Sequence, residues 1–228
     1  MADTSTISDV PSIAFAEAPI VSTDEMRGIE RRALNELRLS QLQMMELAGA
    51  QVARLAMWRE PDRIAVLAGK GGNGGDALVA ARRLHGWGLA VDVFLSRPAE
   101  HFGAVVGHQY DLLNGLGLRL QHDLPLNLEG YDLIIDGLIG RGLNGPLSEM
   151  DHDLISMANA SGAWRLAVDL PTGNSFQADA TLCLGALKTG VVPHASPYGT
   201  VYLADIGLPP RLLKTDVFAK GDLLAVTT

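Results

Sequence analysis

A cluster of glycines follows a short apolar run in the segment 63–87, RIAVLAGKGGNGGDALVAARRLHGW. Residues 64–67 predict a buried strand, and the residues that recur from Leu78 onwards have helical spacing. The turn between them, 69–76, therefore opens a helix. Backbone N–H groups at a helix N-terminus attract anions, and glycines let a ligand approach the chain closely. The segment predicts a binding site for phosphate groups.

Two aspartates stand at the ends of further predicted strands. Asp136 ends the apolar run LIID and is followed by a glycine-rich loop, GLIGRGLNGPL. Asp169 ends the run LAVD and precedes Pro171, Thr172 and Gly173. Ligands of open parallel sheets bind beyond the carboxyl ends of the strands, so residues at those ends converge in space. We therefore expect both aspartates to lie near the glycine turn.

Helical and strand patterns alternate along most of the chain. The segment 23–58 is helical, with Thr23 as a candidate cap, and a second helix begins near Gln41. Apolar strands are predicted at 91–95, 133–136, 166–169, 180–184 and 200–204, with helical segments between them where the spacing allows. This order is typical of an α/β fold in which a mostly parallel central sheet carries helices on both faces.

Composition argues against several classes of partner and site. The net charge of −8 leaves no basic stripe for a nucleic acid or an anionic membrane. No apolar run approaches the roughly 20 residues of a membrane span. The single cysteine, Cys183, lies in the run ATLCLG and is expected to be a buried structural thiol in a reducing compartment. The first 20 residues contain no Lys or Arg, unlike a signal or transit peptide, so a cytoplasmic protein is predicted.

The glycine turn alone also admits an ordinary NAD(P)-dependent oxidoreductase. Gly69, Gly71 and Gly74 fit the G-x-G-x-x-G fingerprint of dinucleotide-binding folds. An NAD site needs an acidic residue at the end of the next strand, but the chain has Ser96 and Arg97 there, and Arg97 could instead meet a phosphate. The chain offers no Tyr-x-x-x-Lys pair, and its six histidines show no paired spacing of metal ligands.

Five motifs in a fixed order carry a resemblance to a known family. GKGGNGGDA, DGLIGRGL, DLPTG, GALKTG and VYLADIGLP together resemble the NAD(P)H-hydrate epimerase family, the YjeF N-terminal domain. The resemblance implies a three-layer α/β/α Rossmann-like domain over 23–209. It also implies an enzyme that interconverts the R and S forms of hydrated NADH and NADPH, which are damaged cofactors with water added across the nicotinamide ring.

The resemblance also implies which residues form the site. It gives the catalytic role to Asp169 and assigns a potassium ion to Asn73, Asp136 and Thr172, whose oxygens are of the kind that hard cations prefer. Either aspartate could instead only cap the loop that follows it. The substrate-binding residues implied are Gly72, Asn73, Gly74, Gly75, Asp76, Gly140, Arg141, Gly142, Leu143, Asn144, Gly145, Pro146, Asp169 and Lys188.

Several positions depart from the family pattern. Gly72 stands where the family has Asn, Ala77 replaces a Gly, and Arg141 replaces a small residue, where it could strengthen binding or block the pocket. Thr172 replaces the usual serine but keeps the hydroxyl. The segment after Gly173 is shorter than is usual in the family. The alternative function is therefore a dinucleotide- or ADP-ribose-binding module of the same fold with weakened catalysis.

The resemblance sets the expected organisation of the chain. We expect a flexible N-terminal segment at 1–22 and a C-terminal tail at 210–228, which resembles the start of a dehydratase domain. An ADP- or ATP-dependent hydrate dehydratase, fused or separate, is the implied functional partner. A homodimer is also expected, with the amphipathic helices of 23–58 as the candidate interface.

Overall fold

The computed structural model describes residues 10–142 and 145–228. Its strands and helices follow in the order β1 (Ser12–Ala14), β2 (Ile20–Val21), α1 (Thr23–Leu37), α2 (Gln41–Met57), β3 (Arg63–Ala68), α3 (Gly72–Gly86), β4 (Ala90–Leu95), α4 (Ala104–Gly115), β5 (Arg119–Gln121), β6 (Leu133–Gly137), α5 (Glu149–Ala160), β7 (Trp164–Val168), β8 (Ala180–Leu184), β9 (Leu187–Lys188), β10 (Thr200–Ala204), α6 (Pro210–Leu213) and β11 (Leu223–Thr227). The five strands predicted after the glycine turn correspond to β4, β6, β7, β8 and β10.

A nine-stranded sheet forms the centre of the fold. Its strand order is β1-β11-β10-β8-β7-β6-β3-β4-β5. All neighbouring pairs run parallel except β10 and β11, which are antiparallel. The predicted α/β fold with a mostly parallel central sheet is confirmed.

The order in which successive strands join the sheet reverses at β3. The chain moves outward from β3 to β4 and β5, then returns to the other side of β3 with β6 and continues to β7 and β8. In open parallel sheets such a switch point leaves a crevice at the carboxyl ends of the two adjacent strands. Here those ends carry the segment 69–76 after β3 and Asp136 in β6.

Alternate side chains of β3 enter two separate cores. Ile64 and Val66 belong to a core shared with α2, α3 and α4, whereas Ala65 and Leu67 belong to a core shared with α5. This alternation follows from the pleat of a strand buried on both faces. Crossovers between parallel strands are right-handed as a rule, so crossovers in opposite directions from β3 place the helices on opposite sides of the sheet and give the expected three layers.

Serine residues cap three of the helices. Ser22 Oγ accepts a hydrogen bond from the Glu25 N–H at 3.2 Å, and the Glu25 carboxylate accepts one from the Ser22 N–H at 2.7 Å. The prediction that Thr23 caps this helix is therefore wrong. Ser22 is the cap and Thr23 is the first helical residue, because Glu25 lies three residues after Ser22 and completes a capping box. Ser40 and Ser148 cap α2 and α5 in the same way. Within the described ranges, no helix has the length and apolar character needed to cross a membrane.

Strands within 10–22 and 210–228, the described parts of the expected N-terminal segment and C-terminal tail, pair into sheets. β1 pairs with β11, and β11 lies between β1 and β10. Ile20–Val21 pairs with Leu187–Lys188 in a separate two-stranded sheet. Ile13 and Val226 are buried in a common core. With three residues, β1 is too short to show alternation, so its pairing depends on this tertiary burial.

Cys183 lies within β8 and is fully buried. Burial raises the pKa of its thiol to about 12. Because the thiolate is the reactive form of cysteine, this side chain is a structural residue, as its sequence setting predicts.

Candidate functional site

The glycine turn, residues 69–76, packs tightly against the loop that follows β6. A Cβ on Gly74 would collide with the carbonyl oxygen of Gly69, and a Cβ on Gly69 would collide with that of Leu138. Gly71 caps α3 with extended backbone and offers no side chain to the first N–H groups of the helix. Those groups are available to an anion, as the sequence-based phosphate hypothesis requires.

Asp136 and Thr172 form one buried unit at the ends of β6 and β7. The Asp136 carboxylate accepts hydrogen bonds from the Thr172 hydroxyl at 2.7 Å, the Thr172 N–H at 2.8 Å and the Leu138 N–H at 3.1 Å. Burial raises the pKa of Asp136 to about 6, although these hydrogen bonds act in the opposite direction. No basic side chain of the described residues pairs with this carboxylate, so its negative charge has no counter-ion there.

Asn73, in the first turn of α3, adjoins the Asp136 unit. Its Nδ2 donates a hydrogen bond to the Val168 carbonyl oxygen at 2.5 Å, and within 10–142 and 145–228 its Oδ1 has no partner. A Cβ on Gly140 would overlap the Asn73 amide, so the loop after β6 passes directly over it. An amide oxygen, a carboxylate and the hydroxyl of Thr172 thus lie at adjoining strand ends, and oxygens of these kinds bind hard cations.

Asp169 follows β7 with a left-handed backbone, φ 64°, which few residues other than glycine adopt. Its N–H donates to the Leu182 carbonyl oxygen at 2.8 Å. Its Oδ1 accepts hydrogen bonds from the Leu184 N–H at 3.1 Å and from the ammonium group of Lys188. Lys188 is only 2% exposed and also donates to the carbonyl oxygens of Leu184 and Ala186, each at 2.9 Å. Neighbouring backbone and a buried cation therefore fix the carboxylate.

Arg141 connects Asp169 to the first helix. Its Nε donates to Asp169 Oδ2 at 3.1 Å, and its Nη2 donates to Glu30 at 2.5 Å. Its Nη1 is buried without a partner among the residues that the structure describes. The sequence alone does not decide whether Arg141 strengthens ligand binding or blocks the pocket. In the structure its guanidinium group pairs with Asp169 and Glu30 instead.

Asp76 lies one turn into α3 and lines the same cleft as Asp169. It is 8% exposed, and no residue in the described part of the chain forms a hydrogen bond or ion pair with its carboxyl group. Burial, followed by the negative charges of Asp169 and Glu30, raises the pKa of Asp76 well above its ordinary value, against the opposing effect of Arg141 and Lys188. Two carboxyl groups in different environments therefore share one cleft.

Two cavities adjoin the glycine turn. The larger is a cleft of about 690 Å³ whose wall includes Asp76, Arg141 and Asp169. The smaller is a recess of about 170 Å³ between the ends of β3, β4 and β6. Residues 70–73 line both cavities, so a ligand bound along the turn would have access to each of them.

Arg97 in the smaller recess is already paired. Its guanidinium donates to the buried Asp151 carboxylate at 2.6 and 3.3 Å and to the Ser96 carbonyl oxygen at 2.5 Å. Lys70 is exposed beside the same recess and forms no ion pair within the described residues. Lys70 is therefore a cation available to a phosphate group, whereas Arg97 is held by the protein.

Half of the predicted substrate-binding residues border these two cavities. The residues that do so are Gly72, Asn73, Asp76, Gly140, Arg141, Gly142 and Asp169. Lys188 lies behind Asp169 and contacts the site through that carboxylate.

The remaining predicted substrate-binding residues lie elsewhere. Gly74 and Gly75 are buried inside α3, where a Cβ on Gly75 would meet Met45. Gly145 and Pro146 are exposed and line neither cavity. Leu143 and Asn144 lie outside the described residues.

Sequence reasoning missed several charged residues at the site, among them Lys70 and Glu30. Lys70 lies inside the glycine turn, so its position in the motif was a usable signal. Glu30 lies in α1, far from every motif, and is placed at the cleft only by its ion pair with Arg141. No local pattern distinguishes it from the other acidic residues of that helix.

The chain is similar to several known proteins. A family model described as YjeF-related protein N-terminus matches residues 41–190. An NAD(P)H-hydrate epimerase from Dehalogenimonas lykanthroporepellens is 34% identical over 84% of this chain and 83% of that protein. One from Rhodopirellula baltica is 29% identical over 90% of this chain and 91% of that protein.

A longer relative and a solved structure extend the comparison. A bifunctional NAD(P)H-hydrate repair enzyme, Nnr, from Thermofilum pendens is 31% identical over 86% of this chain, which spans 41% of that protein. The crystal structure of the yeast protein ynu0 has the same fold, with a TM-score of 0.73, 19% identity and coverage of 91% of this chain and 99% of that chain. By its family match and its relatives, this chain belongs to the YjeF-related N-terminal domain family.

Proposed function

We propose that this chain is an NAD(P)H-hydrate epimerase, which interconverts the R and S forms of hydrated NADH and NADPH. The observation that carries the proposal is the buried Asp169 carboxylate, fixed by Lys188 and Arg141 in the wall of a cleft that begins at an uncapped glycine turn. Relatives named NAD(P)H-hydrate epimerase match most of the chain, which supports the same function.

The proposed catalytic residue is Asp169. The carbon that changes configuration bears both a hydroxyl and the ring nitrogen, so it can pass through a cationic iminium or a ring-opened aldehyde. Each route moves a proton, and a buried carboxylate can stabilise the cation or relay that proton. Asp169 Oδ2 accepts one hydrogen bond, from Arg141, so it retains a lone pair for a water molecule or the substrate hydroxyl.

The glycine turn is the proposed phosphate site. The N–H groups at the start of α3 would bind the pyrophosphate, with Lys70 as an additional positive charge. The nicotinamide half would then occupy the larger cleft beside Asp169, and the adenosine half would lie toward the smaller recess. Gly140 and Gly142 line that recess, where the absence of side chains leaves space for the ligand.

A potassium ion fits the residues that the family resemblance assigns to it. Asp136 is a buried carboxylate without a cationic partner among the described residues, and the free Oδ1 of Asn73 and the hydroxyl of Thr172 belong to the same group of strand ends. A monovalent cation held by these three residues would neutralise Asp136 and supply a fixed positive charge near the substrate's phosphates. Asn73 and Thr172 would orient that ion through neutral oxygens.

The cellular role we propose is cofactor repair together with a hydrate dehydratase. The relatives named bifunctional repair enzymes are longer, and this chain spans 41% and 38% of two of them. The epimerase domain would comprise 23–209, with 1–22 and 210–228 as its flanks. We place the protein in the cytoplasm, as a homodimer formed through α1 and α2, where Leu34 and Leu47 are exposed. Sedimentation of the purified chain tests the dimer.

Conversion of the isolated R hydrate of NADPH tests the proposed function. Purified chain in potassium buffer is expected to form the S hydrate faster than the uncatalysed background, followed by chromatography. Binding of the hydrate or of ADP-ribose without conversion would contradict it and indicate the binding module instead. The short segment between Gly173 and β8 is the observation that favours this alternative.

A further inference from the structure

We propose that Asp76 is a second catalytic residue of this site: it protonates the departing hydroxyl of the hydrate, and Asp169 deprotonates the water that replaces it. The inference rests on the proposed epimerase function and selects the iminium route. It gives Asp76, which the family resemblance places only in substrate binding, a role in the chemistry.

The two carboxyl groups reach one cleft from different elements. Asp76 projects from α3, and Asp169 follows β7. The Leu184 N–H, Lys188 and Arg141 all donate hydrogen bonds to Asp169. An ionised carboxylate only accepts hydrogen bonds, so these contacts suit the ionised form. Asp76 receives no donor from the described residues and is almost fully buried. A carboxyl group in such a setting is free to hold a proton and to donate it to a ligand.

The charges around Asp76 favour its protonated form. Glu30 on α1 and Asp169 are the acidic groups that face it, and Arg141 and Lys188 are the basic ones. These four groups pair with one another: Arg141 contacts the carboxylates of Glu30 and Asp169, and Lys188 contacts that of Asp169. Asp76 is therefore left without a cationic partner of its own. Carboxyl pairs that differ in this way divide acid and base roles in several enzymes.

The first half of the reaction uses the proton of Asp76. That proton passes to the substrate hydroxyl, the carbon–oxygen bond breaks, and its electron pair leaves with the oxygen as water. The lone pair of the ring nitrogen forms the carbon–nitrogen double bond. The products are the Asp76 carboxylate, an iminium cation and one water molecule. The iminium cation thus forms in the same cleft as the Asp76 carboxylate, whose negative charge stabilises it.

The second half uses the free lone pair of Asp169. A water molecule adds to the opposite face of the planar iminium, its oxygen forms the new carbon–oxygen bond, and the double-bond pair returns to nitrogen. Asp169 takes the proton released by this water. Transfer of a proton from Asp169 to Asp76 through water in the cleft restores the starting state. With the two roles exchanged, the same groups catalyse the reverse direction.

Asp76→Asn tests the acid role, because asparagine keeps the size of the side chain but cannot supply the proton. We expect kcat to fall by at least about a hundredfold, the typical contribution of a general acid, with little change in KM. Asp205→Asn is the matched control: burial raises the pKa of Asp205 too, but this residue lines neither cavity. The control should epimerise normally. A kcat near that of the unaltered chain, or a change confined to KM, would overturn the proposal.

A second measurement uses the unaltered chain and so does not depend on the folding of a variant. The R hydrate is converted in water enriched in oxygen-18, and the S hydrate is analysed by mass spectrometry at partial conversion. Cleavage of the carbon–oxygen bond places one solvent oxygen in each S molecule formed. An unlabelled S product would indicate ring opening and overturn the Asp76 role while leaving the epimerase function intact. Absence of any conversion would overturn both.

Discussion

Arg141 Nε donates a hydrogen bond to Asp169 Oδ2 at 3.1 Å, while Nη2 of the same guanidinium donates to Glu30 at 2.5 Å. A loop residue therefore ties the proposed catalytic carboxylate to the first helix. It supplies Asp169 with a second cation besides Lys188.

Arg141→Met should lower kcat/KM by about tenfold, because a hydrogen bond to a charged group contributes about 1.5 kcal/mol. Methionine retains an apolar stem of similar length but leaves Asp169 Oδ2 without its donor. Glu30→Gln is the matched variant, since it keeps an acceptor for Nη2 and should have a smaller effect. Steady-state kinetics with the R hydrate compare the two. A higher kcat/KM in Arg141→Met would mean that this arginine obstructs the cleft.

Asp169→Asn should abolish epimerisation and also lower thermal stability, with the overall fold retained. The substitution leaves the Lys188 ammonium buried without its carboxylate, and breaking a buried ion pair from one side costs about 3–5 kcal/mol. The double variant Asp169→Asn, Lys188→Met should recover part of the stability but none of the activity. Thermal unfolding and the hydrate assay separate the two effects. Full activity in Asp169→Asn would contradict the assignment of Asp169 as the catalytic residue.

Potassium should stabilise the protein more at pH 7 than at pH 5. The pKa of Asp136 is raised from 3.8 to about 6 by burial, so between these values the folded chain binds more protons than the unfolded one. Its contribution to stability therefore decreases as the pH rises through this range. A cation bound to the ionised carboxylate offsets that loss.

Thermal unfolding in potassium and in tetramethylammonium chloride, at equal ionic strength, measures the effect of potassium. Asp136→Asn should remove the difference between the two salts at both pH values, because its side chain carries no charge to neutralise. Equal melting temperatures of the unaltered chain in the two salts at pH 7 would count against the cation site.

Gly140→Ala should destabilise the fold by about 1–3 kcal/mol, the usual cost of overpacking. The added methyl group would overlap the Asn73 amide and displace it from the Val168 carbonyl oxygen. Gly142→Ala, two residues on, meets no atom within 4 Å and should change the unfolding free energy by less than about 0.5 kcal/mol. Chemical denaturation of both variants checks this. Equal stabilities would mean that the loop does not press on Asn73.

The approach of Asp136, Asp169 and the glycine turn to one another could be predicted from sequence. Each follows or ends an apolar strand, and a parallel sheet brings such positions to one edge regardless of side-chain detail. The proximity of Thr172 to Asp136 follows from the same argument, because Thr172 lies just after β7, the neighbour of β6.

The contact between Arg141 and Glu30 could not be predicted in this way. It depends on how α1 is rotated against the loop after β6 and on where a long, flexible side chain settles, and no local period encodes either. The pairing of β1 with β11 was missed for a related reason. Three-residue strands carry no repeat, and their place in the sheet is fixed by burial of side chains such as Ile13.

The most direct test of the proposed function starts from both pure epimers of the NADPH hydrate. The purified chain in potassium buffer is added to the R form in one sample and to the S form in another, and both are followed by chromatography beside enzyme-free controls. The proposed function predicts that the two samples reach the same R to S ratio well before the controls, and that Asp169→Asn leaves both at the control rate. Conversion no faster than the controls, with the hydrate still bound, would contradict it.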